Sequence, residues 1–267
     1  MQGRVLIVAG SDCGGGAGIQ ADIKTVTALG GYAMTAITAL TAQDTLGVHG
    51  VVAVDPAFIR RQMELCLDDI GADALKTGML HDSAVIEAVS GTIRQKAPRV
   101  PLVVDPVMVA KGGHKLLQDQ AIATVKTLLA PLATVLTPNA PEATALTGIA
   151  VASRADMEKA GRAILALGPK AVLMKGGHLA GDTVHDLLGE ASGVTAFSGP
   201  RIETRSTHGT GCTLASAIAC GLAQGLSLKA AVERARAYVR KALETAPGFG
   251  KGHGPLNHAH TVKPFGV

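Results

Sequence analysis

The chain has 267 residues, of which 47% are hydrophobic, and a formal net charge of +4. That length and apolar content support a substantial core, and with two Tyr, four Phe and no Trp the core must be Val, Leu, Ile, Ala and Met, as in a sheet covered by helices on both faces. Dispersed Lys and Arg and the lack of aromatic stacking platforms speak against a nucleic-acid groove, and four cysteines at 13, 66, 212 and 220 make no C-x-x-C pair, so neither a zinc site nor a disulfide framework is indicated.

The chain runs straight into Val5-Leu6-Ile7-Val8 without a basic leader, and no apolar run approaches the ~18 residues that span a bilayer. It reads as soluble and cytosolic. Strands are predicted at residues 4–9, 33–39, 50–54, 74–77, 102–105, 134–137 and 171–175. Between them lie helical patterns at 19–29, 56–70, 83–96, 115–129 and 154–167. Such alternation predicts an α/β fold with a mostly parallel sheet and right-handed crossovers. Residues 183–203 are less regular and could hold two antiparallel edge strands; helices at 211–224 and 228–244 follow. No linker or repeat breaks the chain, so residues 1–267 read as one domain. The basic stretch Arg234, Arg236, Arg240 and Lys241 reads as a solvated helix face. The histidines at 253, 258 and 260 read as a surface tail rather than a metal tract.

Open parallel sheets hold ligands beyond the carboxyl ends of their strands. Here those ends are polar and Gly-rich: Gly10-Ser11-Asp12, Thr41-Ala42-Gln43, Gly78-Met79, Asp105-Pro106-Val107, Pro138-Asn139 and Gly176-Gly177. Thr207-His208-Gly209-Thr210-Gly211-Cys212-Thr213 runs into an apolar helix, and its glycines let consecutive N–H groups face an anion. An ordinary Gly-rich helix start remains the alternative. Cys212 would sit in the first turn, where a thiol pKa falls below about 8.5. Gly16-x-Gly18-x-x-Ala21 fits a loose dinucleotide pattern, but the second strand does not close on the acidic residue that a ribose requires. No G-x-x-x-x-G-K-[ST] loop is present. Asn139 and Glu142, spaced N-x-x-E around Pro141, could hold Mg²⁺ through waters with Asp105, or could simply cap a helix. Lys175, at the end of an apolar strand, is a phosphate contact or a snorkelling lysine.

Val8-Ala9-Gly10-Ser11-Asp12, Gly15-Gly16-Ala17-Gly18-Ile19-Gln20-Ala21-Asp22, Thr41-Ala42-Gln43, Lys76-Thr77-Gly78-Met79, Asp105-Pro106-Val107-Met108, Thr137-Pro138-Asn139-Ala140-Pro141-Glu142, Met174-Lys175-Gly176-Gly177-His178, the block at 207–213 and Gly252-His253-Gly254-Pro255 occur in one order. Together they resemble hydroxymethylpyrimidine (phosphate) kinases of the ribokinase type across nearly the whole chain. The resemblance implies a ribokinase-like three-layer fold, usually homodimeric, that moves the γ-phosphoryl group of ATP, with Mg²⁺, to 4-amino-5-hydroxymethyl-2-methylpyrimidine and then to its monophosphate. It implies that Gln43 bonds the aminopyrimidine edge, with Asp22, Gly10, Met79 and Val107 lining that pocket. It assigns Asp105 and Glu142 to the metal, and Asn139, Glu142, Lys175 and Thr207 to nucleotide and phosphates. Gly209, Thr210, Gly211 and Cys212 become the anion hole, with Cys212 as base where the wider superfamily has Asp. Cys13-Gly14 and Asp44 depart from the family's common residues. A pyridoxal kinase, or a non-catalytic sensor of pyrimidine or nucleotide, remains the rival.

Overall fold

Val5-Leu6-Ile7-Val8 shows how the sheet is built. The computed structural model describes residues 2–108, 116–263 and 266, and in it none of these four side chains is exposed. Leu6 and Val8 enter one apolar cluster, Val5 and Ile7 the other. They are the two faces of strand β1 (Arg4–Asp12), and a continuous apolar run is what a strand buried on both faces requires.

β1 pairs in parallel with β2 (Tyr32–Gln43). Next comes β3 (Val48–Ala53), antiparallel to β2 at one edge. The chain then returns to the other side of β1 as β4 (Ala74–Thr77). β5 (Leu102–Val104), β6 (Val135–Leu136) and β7 (Ala171–Met174) continue in parallel. An antiparallel hairpin, β8 (Thr183–Glu190) and β9 (Gly193–Pro200), closes the far edge. The order is β3-β2-β1-β4-β5-β6-β7-β8-β9.

Helix α1 (Gly18–Ala28) covers the Ile7 face. The Leu6 face is covered by α2 (Pro56–Leu65), α3 (Ser83–Lys96), α4 (Asp119–Thr124), α5 (Ala140–Thr147) and α6 (Arg154–Leu165), through Ile59, Met63, Ile86, Ala121, Leu146 and Met157. α7 (Thr210–Ala223) and α8 (Leu228–Glu244) return to the Ile7 face. The helix pair packs closely because its contact is small-on-small, with Gly221 against Ala231.

The predicted alternation is present, with three differences. β1 runs past Gly10 to Asp12, with a register shift between Ala9 and Ser11; a bulge there lets the strand continue where the sequence suggests a loop. The patterns at 56–70 and 115–129 end in wider π turns, Cys66–Ile70 and Val125–Leu129; residue 115 lies outside the described residues. Of the His-bearing end only His253 is exposed as expected; His258 and His260 are not part of a surface tail. His258 is buried with Nε2 3.0 Å from Thr213 Oγ1, and His260 packs on the Tyr238 ring at 4.5 Å. Their apolar surroundings were contributed by α7 and α8, which the local sequence could not reveal. Among the described residues no helix is long and apolar enough to cross a membrane.

Candidate active site

The chain leaves β1 for β2 on one side and reaches β4 on the other, so the loops beyond β1 and β4 diverge. A cavity of about 830 Å³ opens there, at the position where open α/β sheets bind ligands. Gly10, Gln43, Met79 and Val107 line one end, Asp105, Lys175, Gly211 and Cys212 the middle, and Ile202, Arg236 and Arg240 the other.

Three charged groups meet in the middle. Lys175 Nζ lies 2.9 Å from Asp105 Oδ1 and 3.7 Å from Glu142 Oε2. Asp105 also accepts from the Thr137 hydroxyl at 3.2 Å. Burial would lower the Lys175 ammonium, but Asp105 and Glu142 outweigh it and hold it above the usual lysine range. Burial drives the Glu142 carboxyl up to about 7, with Lys175 opposing and Asp105 adding to the rise. Glu142 is at the same time half of a capping box: the Asn139 N–H donates to Glu142 Oε2 at 2.8 Å, and the Glu142 N–H to Asn139 Oδ1 at 2.9 Å. Capping and charge placement are therefore one arrangement, because the cap aims Glu142 back at the ends of β6 and β7.

α7 begins against this cluster. Gly209, with φ 81°, occupies its N-cap; a Cβ there would run into the Gly16 carbonyl, and the left-handed backbone itself disfavours other residues. The ladder starts with the Thr213 N–H on the Gly209 carbonyl, 2.9 Å, so the N–H groups of Gly211 and Cys212 precede it and lie in the wall of the cavity. A Cβ on Gly211 would stand 3.3 Å from Lys175 Nζ and 3.4 Å from Asp105 Oδ2. Thr207 lines the same wall, and its carbonyl accepts from the Thr210 hydroxyl at 2.9 Å. The expectation of an acidified Cys212 fails. Burial pushes this thiol up to about 12, with Lys76 opposing and Asp22 and Asp105 adding to the rise. Desolvation by the surrounding protein outweighs both Lys76 and the helix end.

At the other end, Gln43 Nε2 donates to Thr41 Oγ1 at 2.8 Å, and the residue borders the cavity with Gly10, Met79 and Val107. Asp22 does not. It is wholly buried, paired with Lys76 at 2.8 Å and accepting from Ser216 Oγ at 2.6 Å. Its place on the inner side of α1 turns it towards β4 and α7 rather than the pocket. Lys76 joins the site without being among the residues the sequence singles out. It is fully buried, yet its tip reaches the cavity wall; Asp22, Cys212 and Asp105 outweigh burial and raise it to about 12. A charged residue inside the apolar pattern of β4 was the available signal.

The basic face of α8 is not simply solvated. Arg236 Nε lies 2.7 Å from Asp186 Oδ2 and its guanidinium 5.5 Å from the Phe197 ring centre, and with Arg240 it lines the far end of the cavity. β8 and β9 supply those partners, so the helix pattern alone read as solvated.

Among known proteins, the sequence profile of the family described as phosphomethylpyrimidine kinase matches residues 12–257. A Streptomyces coelicolor protein named hydroxymethylpyrimidine/phosphomethylpyrimidine kinase is 49% identical over 95% of this chain and 93% of its own. The chain belongs to the phosphomethylpyrimidine kinase family. It is also 50% identical to the thiamine biosynthesis bifunctional protein ThiED of Geobacter sulfurreducens, over 96% of this chain; it spans about half of that longer protein, 52%. Two solved structures share the ribokinase-like fold. A phosphomethylpyrimidine kinase from Clostridium difficile superposes with a TM-score of 0.80 at 41% identity, covering 90% of this chain and 98% of that one. The pyridoxal kinase of Staphylococcus aureus, in complex with ADP, gives 0.91 at 35%, covering 99% and 96%. Membership of this kinase family removes the dinucleotide reading of Gly16-x-Gly18.

Proposed function

We propose that residues 1–267 act as one kinase domain that transfers the γ-phosphoryl group of ATP to 4-amino-5-hydroxymethyl-2-methylpyrimidine and to its monophosphate, for thiamine synthesis. The observation that carries this reading is the meeting of Lys175, Asp105 and Glu142 with the start of α7 at the middle of a two-ended cavity. In the first transfer the hydroxyl oxygen, and in the second an oxygen of the monophosphate, attacks the γ-phosphorus; the bond to the β–γ bridging oxygen breaks, and ADP leaves with that electron pair. The N–H groups of Gly209, Gly211 and Cys212, with Lys175, offset charge on the transferring group, while Thr210, whose N–H donates to the Thr207 carbonyl at 3.5 Å, shapes that anion hole; in such reactions positioning and neutralisation dominate. In the first transfer Cys212 Sγ receives the hydroxyl proton, for which it must enter as the thiolate. Gln43 bonds the aminopyrimidine edge, above Gly10, Met79 and Val107; Asn139 and Thr207 border the phosphates.

Among the described residues no three His, Cys, Asp or Glu side chains converge as a metal cage. Mg²⁺ needs none, since it keeps waters and phosphate oxygens and takes one or two carboxylates. Asp105 and Glu142 fit that role, and the ion, when bound, neutralises phosphate charge. The same reading includes a cytosolic setting and a homodimer; the exposed apolar residues Leu40, Leu46 and Val52 around the β2–β3 edge suit a second copy.

The similarity to pyridoxal kinases supports a second substrate reading on the same chemistry. ADP release with Mg²⁺-ATP and hydroxymethylpyrimidine, its monophosphate or pyridoxal separates them. Both pyrimidines should turn over, with pyridoxal at least ~10-fold worse in kcat/KM. A preference for pyridoxal overturns the role of Gln43, and tight pyrimidine binding without turnover would mark a sensor.

A further inference from the structure

Asp12 and His208 stand 196 positions apart in sequence, and neither has a part in the chemistry described above. Yet His208 Nε2 donates to Asp12 Oδ2 at 2.9 Å. Asp12 ends β1, has no exposed surface, and its carboxylate organises the loop that follows. Oδ1 accepts from the Gly14 N–H at 2.8 Å, and Oδ2 from those of Gly16 at 3.0 Å and Ala17 at 2.7 Å. Burial would raise this carboxyl, but the bonds from His208 and the backbone hold it below the usual range.

The two loops so joined serve different parts of the cavity, the Gln43 end and the middle. The first reaches Gln43 through Cys13, whose Sγ donates to the Gln43 carbonyl at 3.2 Å. The second continues from His208 directly into Gly209–Cys212, and is itself held from behind where the His208 N–H donates to the Gly254 carbonyl at 3.0 Å. Their contact is close: a Cβ on Gly16 would stand 2.6 Å from His208 Cδ2. Three backbone bonds already shape the first loop without His208. The side-chain bond therefore adds a fixed relation between the loops rather than the shape of either.

We propose that the Asp12–His208 pair is a positioning clasp for phosphoryl transfer, holding the acceptor-side loop in register with the helix start that receives the transferring phosphoryl group. The inference rests on the phosphotransferase reading above. Transfer needs reacting atoms within about 3–3.5 Å, and a displacement of ~1 Å can cost ~10²-fold in rate. Water needs no such register, so a loosened clasp should waste ATP by hydrolysis.

The test compares H208A and H208Q with the parent, reading kcat, both KM values and ADP formed per phosphorylated product. The acceptor is whichever one the parent turns over best, so an error in the substrate assignment is read from the parent alone. H208A should lower kcat ~10- to 10²-fold with the ATP KM within ~3-fold, and should raise ADP formed per product. H208Q, whose amide nitrogen can reach where Nε2 stood, should restore most of both. D12N combined with H208A should be no worse than the poorer single variant. If H208A does not fold, H208N keeps a polar side chain whose donor is too short to reach Asp12. Overturning results are a kcat within ~2-fold of the parent, equal losses in H208A and H208Q at the parent's ADP ratio, or losses that add in the double variant.

Discussion

Lys76 Nζ lies 2.8 Å from Asp22 Oδ2, and neither side chain has any exposed surface. The pair ties β4 to α1 beneath the cavity, and Ser216 of α7 completes the carboxylate's bonds at 2.6 Å. Replacing one partner strands a buried charge, at a cost of about 3–5 kcal/mol. D22N should lose stability on that scale in urea unfolding at neutral pH, and D22N combined with K76M should recover part of it. A loss below ~1 kcal/mol in D22N would mean that the pair is solvated in solution.

Cys212 gives a prediction about rate and pH. Its thiol is pushed up to about 12 by burial, so at neutral pH it is protonated. If the thiolate takes the acceptor proton, kcat should climb about tenfold per pH unit from 7 to 9. C212S should lose more than ~10²-fold and flatten that climb. An activity within a few-fold of the parent would remove the base role and leave the anion hole standing.

Glu142 titrates where a metal ligand would feel it. Its value is raised to about 7, so the carboxylate is mostly neutral at pH 6 and mostly charged at pH 8. The Mg²⁺ concentration for half-maximal rate should therefore fall roughly tenfold over that interval. E142Q should need more metal and show only the pH dependence of the nucleotide. Parallel curves for parent and E142Q would take Glu142 out of the metal's surroundings.

His258 makes folding depend on pH. Burial, then the positive charges of Lys24 and His260, lower it from 6.5 to about 4. The folded state holds it neutral while the unfolded state protonates it below about 6.5. Its contribution is thus complete above that pH and disappears as pH falls towards 4, amounting to roughly 3 kcal/mol. Unfolding free energy followed from pH 7.5 to 4 should drop accordingly, and H258Q should flatten the curve in that window. Equal slopes would show that acid destabilisation arises elsewhere.

The sequence by itself determined the layers and part of what lines the cavity. Continuous apolar runs such as Val5–Val8 could only be strands covered on both faces, and Asp105, Asn139, Lys175 and Gly209–Cys212 follow strands or open a helix, so the rule for parallel sheets placed them at one edge. What it could not determine was the environment of each group, because that is set by residues distant in sequence. Only the tertiary structure decided that Asp22 turns away from the pocket to neutralise Lys76, and that enclosure outweighs the helix end at Cys212. It likewise decided that Arg236 meets Asp186 from β8 and that His258 is buried against Thr213. Local patterns fix which way a backbone runs; desolvation and charge pairing depend on what packs opposite, and in the pair formed by Asp12 and His208 that came from 196 positions away.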